Sequence, residues 1–115
     1  MSSNPTVAEY VVARIAALGI DHVFGVPGDY AFPWNDAIEA NERVEWVGAA
    51  NELNAAYAAD GYARIRGAAM LCTTFGPGEL SAINGGMGAR AESVPSFWLV
   101  GLPSSQLRRE GRGLH

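Results

Sequence analysis

Two acidic side chains sit where they could hold or move a proton. Asp29 follows Pro27-Gly28, and Glu52 follows Asn51 at the head of an alanine-rich run. Each comes just after a short apolar stretch, so both are candidates for general acid–base work at the rim of a sheet. Taken singly, each is more simply read as a solvated loop acid or a helix cap. Gly76-Pro77-Gly78 superficially suggests a dinucleotide-binding turn, but Ser81 occupies the third glycine position and the following strand ends Val100-Gly101 with no acid. Those glycines are better read as allowing a tight turn and close backbone approach. His22 has no second ligand at metal-binding spacing and reads as structural, and His115, the last residue, says little by its type alone.

The rest of the composition removes whole classes of chemistry. All 8 cations are arginine, so no lysine Schiff base or P-loop lysine is available. The single cysteine, Cys72, excludes an internal disulfide or multi-cysteine zinc site and reads as a buried strand residue. With 12 acidic residues and a formal charge of -4, a phosphate-binding basic face is disfavoured, so no nucleic acid is expected as a partner. Arg108, Arg109 and Arg112 read as a solvated basic run in a loop. Trp34, Trp46 and Trp98 are too scattered for a stacking platform and read as core or interface residues. Arg14 and Asp21 interrupt the longest apolar stretch, and the N-terminus lacks a secretory pattern. The expectation is a soluble cytoplasmic protein with no membrane contact.

The elements that must carry these residues alternate. Thr6 and Glu9 are spaced as a capping box, with Val7, Val11, Ile15 and Leu18 on one helical face and Gly19 as the stop. Strands are predicted over 22–26, 44–47, 68–74 and 96–100, and further helices over 33–40, 51–64 and 79–92. Gly61 and the glycines at 85, 86 and 88 should weaken the last two helices by about 0.8–1 kcal/mol each. At 115 residues the chain has the length of one domain. Strand and helix in alternation predict an α/β fold: an open, mostly parallel sheet flanked by helices. In such sheets ligands bind at the carboxyl ends of the strands. That rule gathers Asp29 and Glu52 on one rim.

Three longer motifs carry a resemblance. Gly25–Tyr30 (GVPGDY), Asn51–Arg64 (NELNAAYAADGYAR) and Thr73–Gly85 (TTFGPGELSAING) occur in order, and Ala91–Pro95 (AESVP) follows. Together they resemble the thiamin-diphosphate-dependent 2-oxoacid decarboxylases of the pyruvate and indolepyruvate type, over nearly the whole chain. The resemblance implies that residues 1–115 are an N-terminal pyrimidine-binding (PYR) domain whose C-terminal part is missing. It implies that Glu52 hydrogen-bonds the aminopyrimidine ring and favours the imino tautomer that deprotonates the thiazolium carbon. Thr74 is implied as a second cofactor contact, and Asp29 and His115 as aids to proton transfer and substrate binding. Family members carry two adjacent histidines, of which this sequence has the first. Ala31–Trp34 and the glycines at 85–88 depart from the usual family sequence.

Implied as partners are a 2-oxoacid substrate, a homo-oligomer, and the diphosphate-binding domain of another subunit. That domain, absent from this chain, would hold the Mg2+ of the cofactor. The expected activity is non-oxidative decarboxylation of a 2-oxoacid to an aldehyde and carbon dioxide, with the 115 residues inactive alone. Rival expectations are a free-standing non-catalytic remnant or interaction module, and one subunit of a split decarboxylase.

Overall fold

A computed structural model describes residues 4–112. Its first helix, α1 (Val7–Ala16), starts where the spacing predicts: Thr6 Oγ1 accepts from the Glu9 N–H at 3.2 Å, and the Glu9 carboxylate accepts from the Thr6 N–H at 2.6 Å. The buried face overlaps the expected one at Val11 and Ile15 and departs from it at the ends. Val12, Ile15 and Ala16 point inward, whereas Val7 is 77% and Leu18 66% exposed. Helix α1 ends at Ala16, and Gly19, at φ +89°, turns the chain towards the sheet.

After α1 come β1 (His22–Gly25), a 3-10 turn at Asp29–Ala31, α2 (Phe32–Glu39) and β2 (Glu45–Gly48). Then follow α3 (Glu52–Arg66), β3 (Ala69–Thr74), α4 (Pro77–Ala91), β4 (Ser96–Gly101) and α5 (Ser105–Arg109). The four strands are all parallel, in the order β2-β1-β3-β4. An α/β fold with an open parallel sheet is therefore what the sequence forms. Alternation along β3 separates two cores. Met70 and Cys72 join Val12, Ile15, Ile38 and Leu99 under α1 and α2. Ala69 and Leu71 join the alanines of α3 and Ala82 of α4 on the other face. Burial on both sides explains why β3 is apolar at successive positions.

Small residues set the spacing of the α3–α4 layer. A Cβ at Gly85 would lie 2.7 Å from the Ala56 Cβ, and one at Gly86 would overlap the ring of Trp98. These two glycines are the means by which α4 seats on α3 and β4. Trp34, Trp46 and Trp98 all pack against the cores as half-buried side chains. One expectation is corrected in part. Two members of the arginine run are not in a loop: Ser104 Oγ accepts from the Leu107 N–H at 3.3 Å and caps α5, which carries Arg108 and Arg109, while Arg112 follows beyond it.

Candidate functional site

The carboxyl ends of the strands bring the sequence candidates together. Gly25 lies opposite Gly48 on one side and Cys72 on the other, and Thr74 lies opposite Gly101. The loops that leave these positions therefore share one rim. Glu52 is the first residue of α3. Asn51 is its N-cap, accepting from the Asn54 N–H at 3.0 Å, so the turn holds the Glu52 backbone in a fixed place.

Helix α4 begins beside it. Gly76, at φ +67°, makes the turn out of β3, and its N–H donates to Glu79 Oε1 at 3.3 Å. Two residues on, Gly78 lies between the two candidate cofactor residues. A Cβ built there would stand 2.8 Å from Thr74 Cγ2 and 3.5 Å from Glu52 Oε1. A Cβ at Gly28 would meet Thr74 from the other side, 2.7 Å from its Cβ. Thr74 is thus cradled by the backbone of the Gly28 turn and of the first turn of α4, with Glu52 Oε1 beside the latter.

Polar atoms are left over at this point. Among the described residues, the buried Oγ1 atoms of Thr73 and Thr74 have no hydrogen-bond partner. Leaving a buried hydroxyl unpaired costs about 1–3 kcal/mol, so such a group signals a missing partner more often than a tolerated defect. Together with the Glu52 carboxylate, the Thr74 hydroxyl gives this part of the rim polar groups that can both donate and accept hydrogen bonds, as a polar heteroaromatic ring would require.

Asp29 starts the 3-10 turn directly after Gly28 and is exposed on the same rim. The turn is pressed onto the end of β4, since a Cβ at Gly101 would overlap the Tyr30 carbonyl. The Tyr30 and Phe75 rings meet edge to face with centroids 5.3 Å apart. His115 lies outside the described residues.

The opposite end of the sheet holds a polar network that the sequence did not reveal. The Tyr62 hydroxyl donates to Asp21 Oδ1, Arg66 Nη2 reaches Asp21 Oδ2 at 2.9 Å, and His22 Nδ1 is 2.8 Å from Asp21 Oδ1. Bonding from Tyr62, then His22, with help from the Arg66 charge, lowers the Asp21 carboxyl to about 2. Its members are up to 45 positions apart in sequence, so no local motif announces it. Burial alone raises the Cys72 thiol to about 12, which leaves it protonated and inert. No group of three or more metal-ligating side chains exists among the described residues. Nor, among them, is any helix long and apolar enough to cross a membrane.

Comparison with known proteins matches residues 5–114 to the family model described as thiamine pyrophosphate enzyme, N-terminal TPP binding domain. The chain is 54% identical over 110 residues to an alpha-keto-acid decarboxylase of Mycobacterium avium (strain 104), covering 96% of this chain and 20% of that protein. An alpha-keto-acid decarboxylase of Mycobacterium ulcerans (strain Agy99) is 52% identical over 110 residues, covering 96% and 19%. The chain thus spans about a fifth of the length of these curated relatives.

Proposed function

Because the chain belongs to the thiamine pyrophosphate enzymes, as their N-terminal TPP binding domain, we propose that it forms the cofactor-activating part of a 2-oxoacid decarboxylase. The observation that carries this reading is the meeting of Glu52 Oε1 and the Thr74 methyl at Gly78, beside a buried Thr74 hydroxyl with no partner among the described residues. Thiamine pyrophosphate, when bound, supplies a thiazolium carbon that can add to a keto group and accept the electrons left as carbon dioxide departs. The chain's own residues have narrower tasks. Glu52 holds a hydrogen bond at a ring nitrogen of the aminopyrimidine and so governs where that ring keeps its proton. Thr74 Oγ1 is assigned to orienting the ring, and the missing side chains of Gly28 and Gly78 let the backbone pack directly on Thr74 and hold it there.

Asp29, exposed on the rim, exchanges protons between solvent and substrate, and His115 is assigned to the same work. The overall reaction takes a 2-oxoacid anion and one proton to an aldehyde and carbon dioxide. Diphosphate and Mg2+ fall to a second domain, held by another subunit of a homo-oligomer. An exposed apolar face supports that partner: Tyr57 of α3 and Leu80, Ile83 and Met87 of α4 are all left at the surface, with Asn84 Nδ2 donating to the Tyr57 hydroxyl at 3.4 Å.

A chimaera tests the reading. Replacing the matching 110 residues of the Mycobacterium avium relative with this chain should give a protein that decarboxylates a 2-oxoacid in the presence of thiamine pyrophosphate and Mg2+. A folded, oligomeric chimaera with no turnover would favour the non-catalytic remnant instead.

A further inference from the structure

Beyond Phe75, the end of β4 opens onto a cleft of about 540 Å3 bounded by the segment from Leu102 to Arg112. That volume lies in the range of small-molecule sites. Phe75, Leu102, Pro103 and Leu107 form an apolar wall, and Leu102 is left 54% exposed upon it. Facing this wall are two cations, Arg108 and Arg112, and no acidic side chain lines the cleft. Arg112 Nε is already engaged by Glu110 at 3.1 Å, and Glu110 also accepts from Gln106 Nε2 at 2.9 Å. Arg108 has no ion pair among the described residues.

An apolar wall beside one unneutralised guanidinium specifies a ligand with one charge and a greasy body. A polyanion would engage the arginines and leave the wall wet, and a neutral hydrocarbon would leave the guanidinium unanswered. We propose that this cleft binds a monocarboxylate with an aryl or branched-alkyl body, its carboxylate on the Arg108 fork. The cleft adjoins the site already described: Phe75 follows Thr74 directly, and its N–H donates to the Gly101 carbonyl at 2.9 Å. That the natural ligand is a 2-oxoacid rests on the function proposed above. That it is an apolar monocarboxylate rests on the cleft alone.

The probe is 3-phenylpropionate, which has no keto group to react, titrated into the 115-residue chain while the amide resonances of Phe75, Leu102 and Leu107 are followed. Saturable shifts are expected at these amides. Arg108→Gln should weaken binding by about fivefold, the size of an exposed ion pair. Arg108→Lys, which keeps the charge and loses the fork, should fall between. The uncharged 3-phenylpropanamide should bind the parent chain no better than the carboxylate binds Arg108→Gln. Equal affinity for carboxylate and amide, or an Arg108→Gln variant that binds as the parent does, overturns the proposal. So do shifts at the same amides on changing protein concentration without probe, which would mark a second copy as the occupant. Turnover by the chimaera can fail while this titration succeeds, and the reverse, so the two readings fall separately.

Discussion

Gly78 is the residue on which the candidate site packs, because a Cβ there would clash with the Thr74 methyl at 2.8 Å and lie 3.5 Å from Glu52 Oε1. Gly78→Ala should therefore force the Thr74 side chain aside, at a cost of about 1–3 kcal/mol for overpacking. In the chimaera its KM for thiamine pyrophosphate should rise well beyond any change in melting temperature, and an unchanged KM would mean the placement of Thr74 does not bear on the cofactor. Cys72 makes a simpler prediction. With its thiol raised to about 12 by burial, it should resist alkylation at pH 8 in the folded chain and react at once in denaturant, as mass spectrometry would read.

Asp21 gives a pH dependence whose sign is fixed by the direction of its shift. Its carboxyl is lowered to about 2 from 3.8, so its contribution to stability is present above about pH 4 and lost as pH falls through about 2. The melting-temperature gap between the parent and Asp21→Asn should be open at pH 5 and close on the way to pH 2. A gap constant over that range would show that the Tyr62 and Arg66 contacts do not favour the ionised form.

Among the elements, legibility followed locality. The Thr6–Glu9 box, the order of strands and helices, and the rim carrying Asp29 and Glu52 could all be read because each depends on neighbours within a few residues. Helix α5 left a trace in Ser104, three residues before Leu107, but five residues with one half-buried side chain give no periodicity. The face of α1 was legible in part: of the stripe Val7, Val11, Ile15 and Leu18, Val11 and Ile15 pack on the core, whereas the outer two are exposed and Val12 and Ala16 complete the buried face.

The helix glycines divide in a way that propensity could not show. A Cβ added at Gly61 or Gly88 would meet nothing within 4 Å, whereas one at Gly85 or Gly86 would run into Ala56 or Trp98. Gly61→Ala and Gly88→Ala should each stabilise the chain by about 0.5–1 kcal/mol. Gly86→Ala should destabilise it by about 1–3 kcal/mol. Chemical denaturation of the three variants checks both signs.

For the whole molecule, the sheet serves to hold two helix starts and two turns at one rim, and Tyr57, Leu80, Ile83 and Met87 of α3 and α4 are left exposed. Thr74 was legible only through the family resemblance, and the Arg108 cleft was hidden in the sequence because it forms only where Phe75 meets the segment after β4. The central claim is that Glu52 acts on the cofactor rather than capping a helix. Its most direct test is kcat of the chimaera carrying Glu52→Gln, beside the parent chimaera, with melting temperatures measured for both. A fall in kcat of about 10²- to 10⁴-fold at unchanged stability is expected for a group that controls a proton in the reaction. Turnover within a factor of about two of the parent would contradict it and return Glu52 to the role of a solvated helix-start acid.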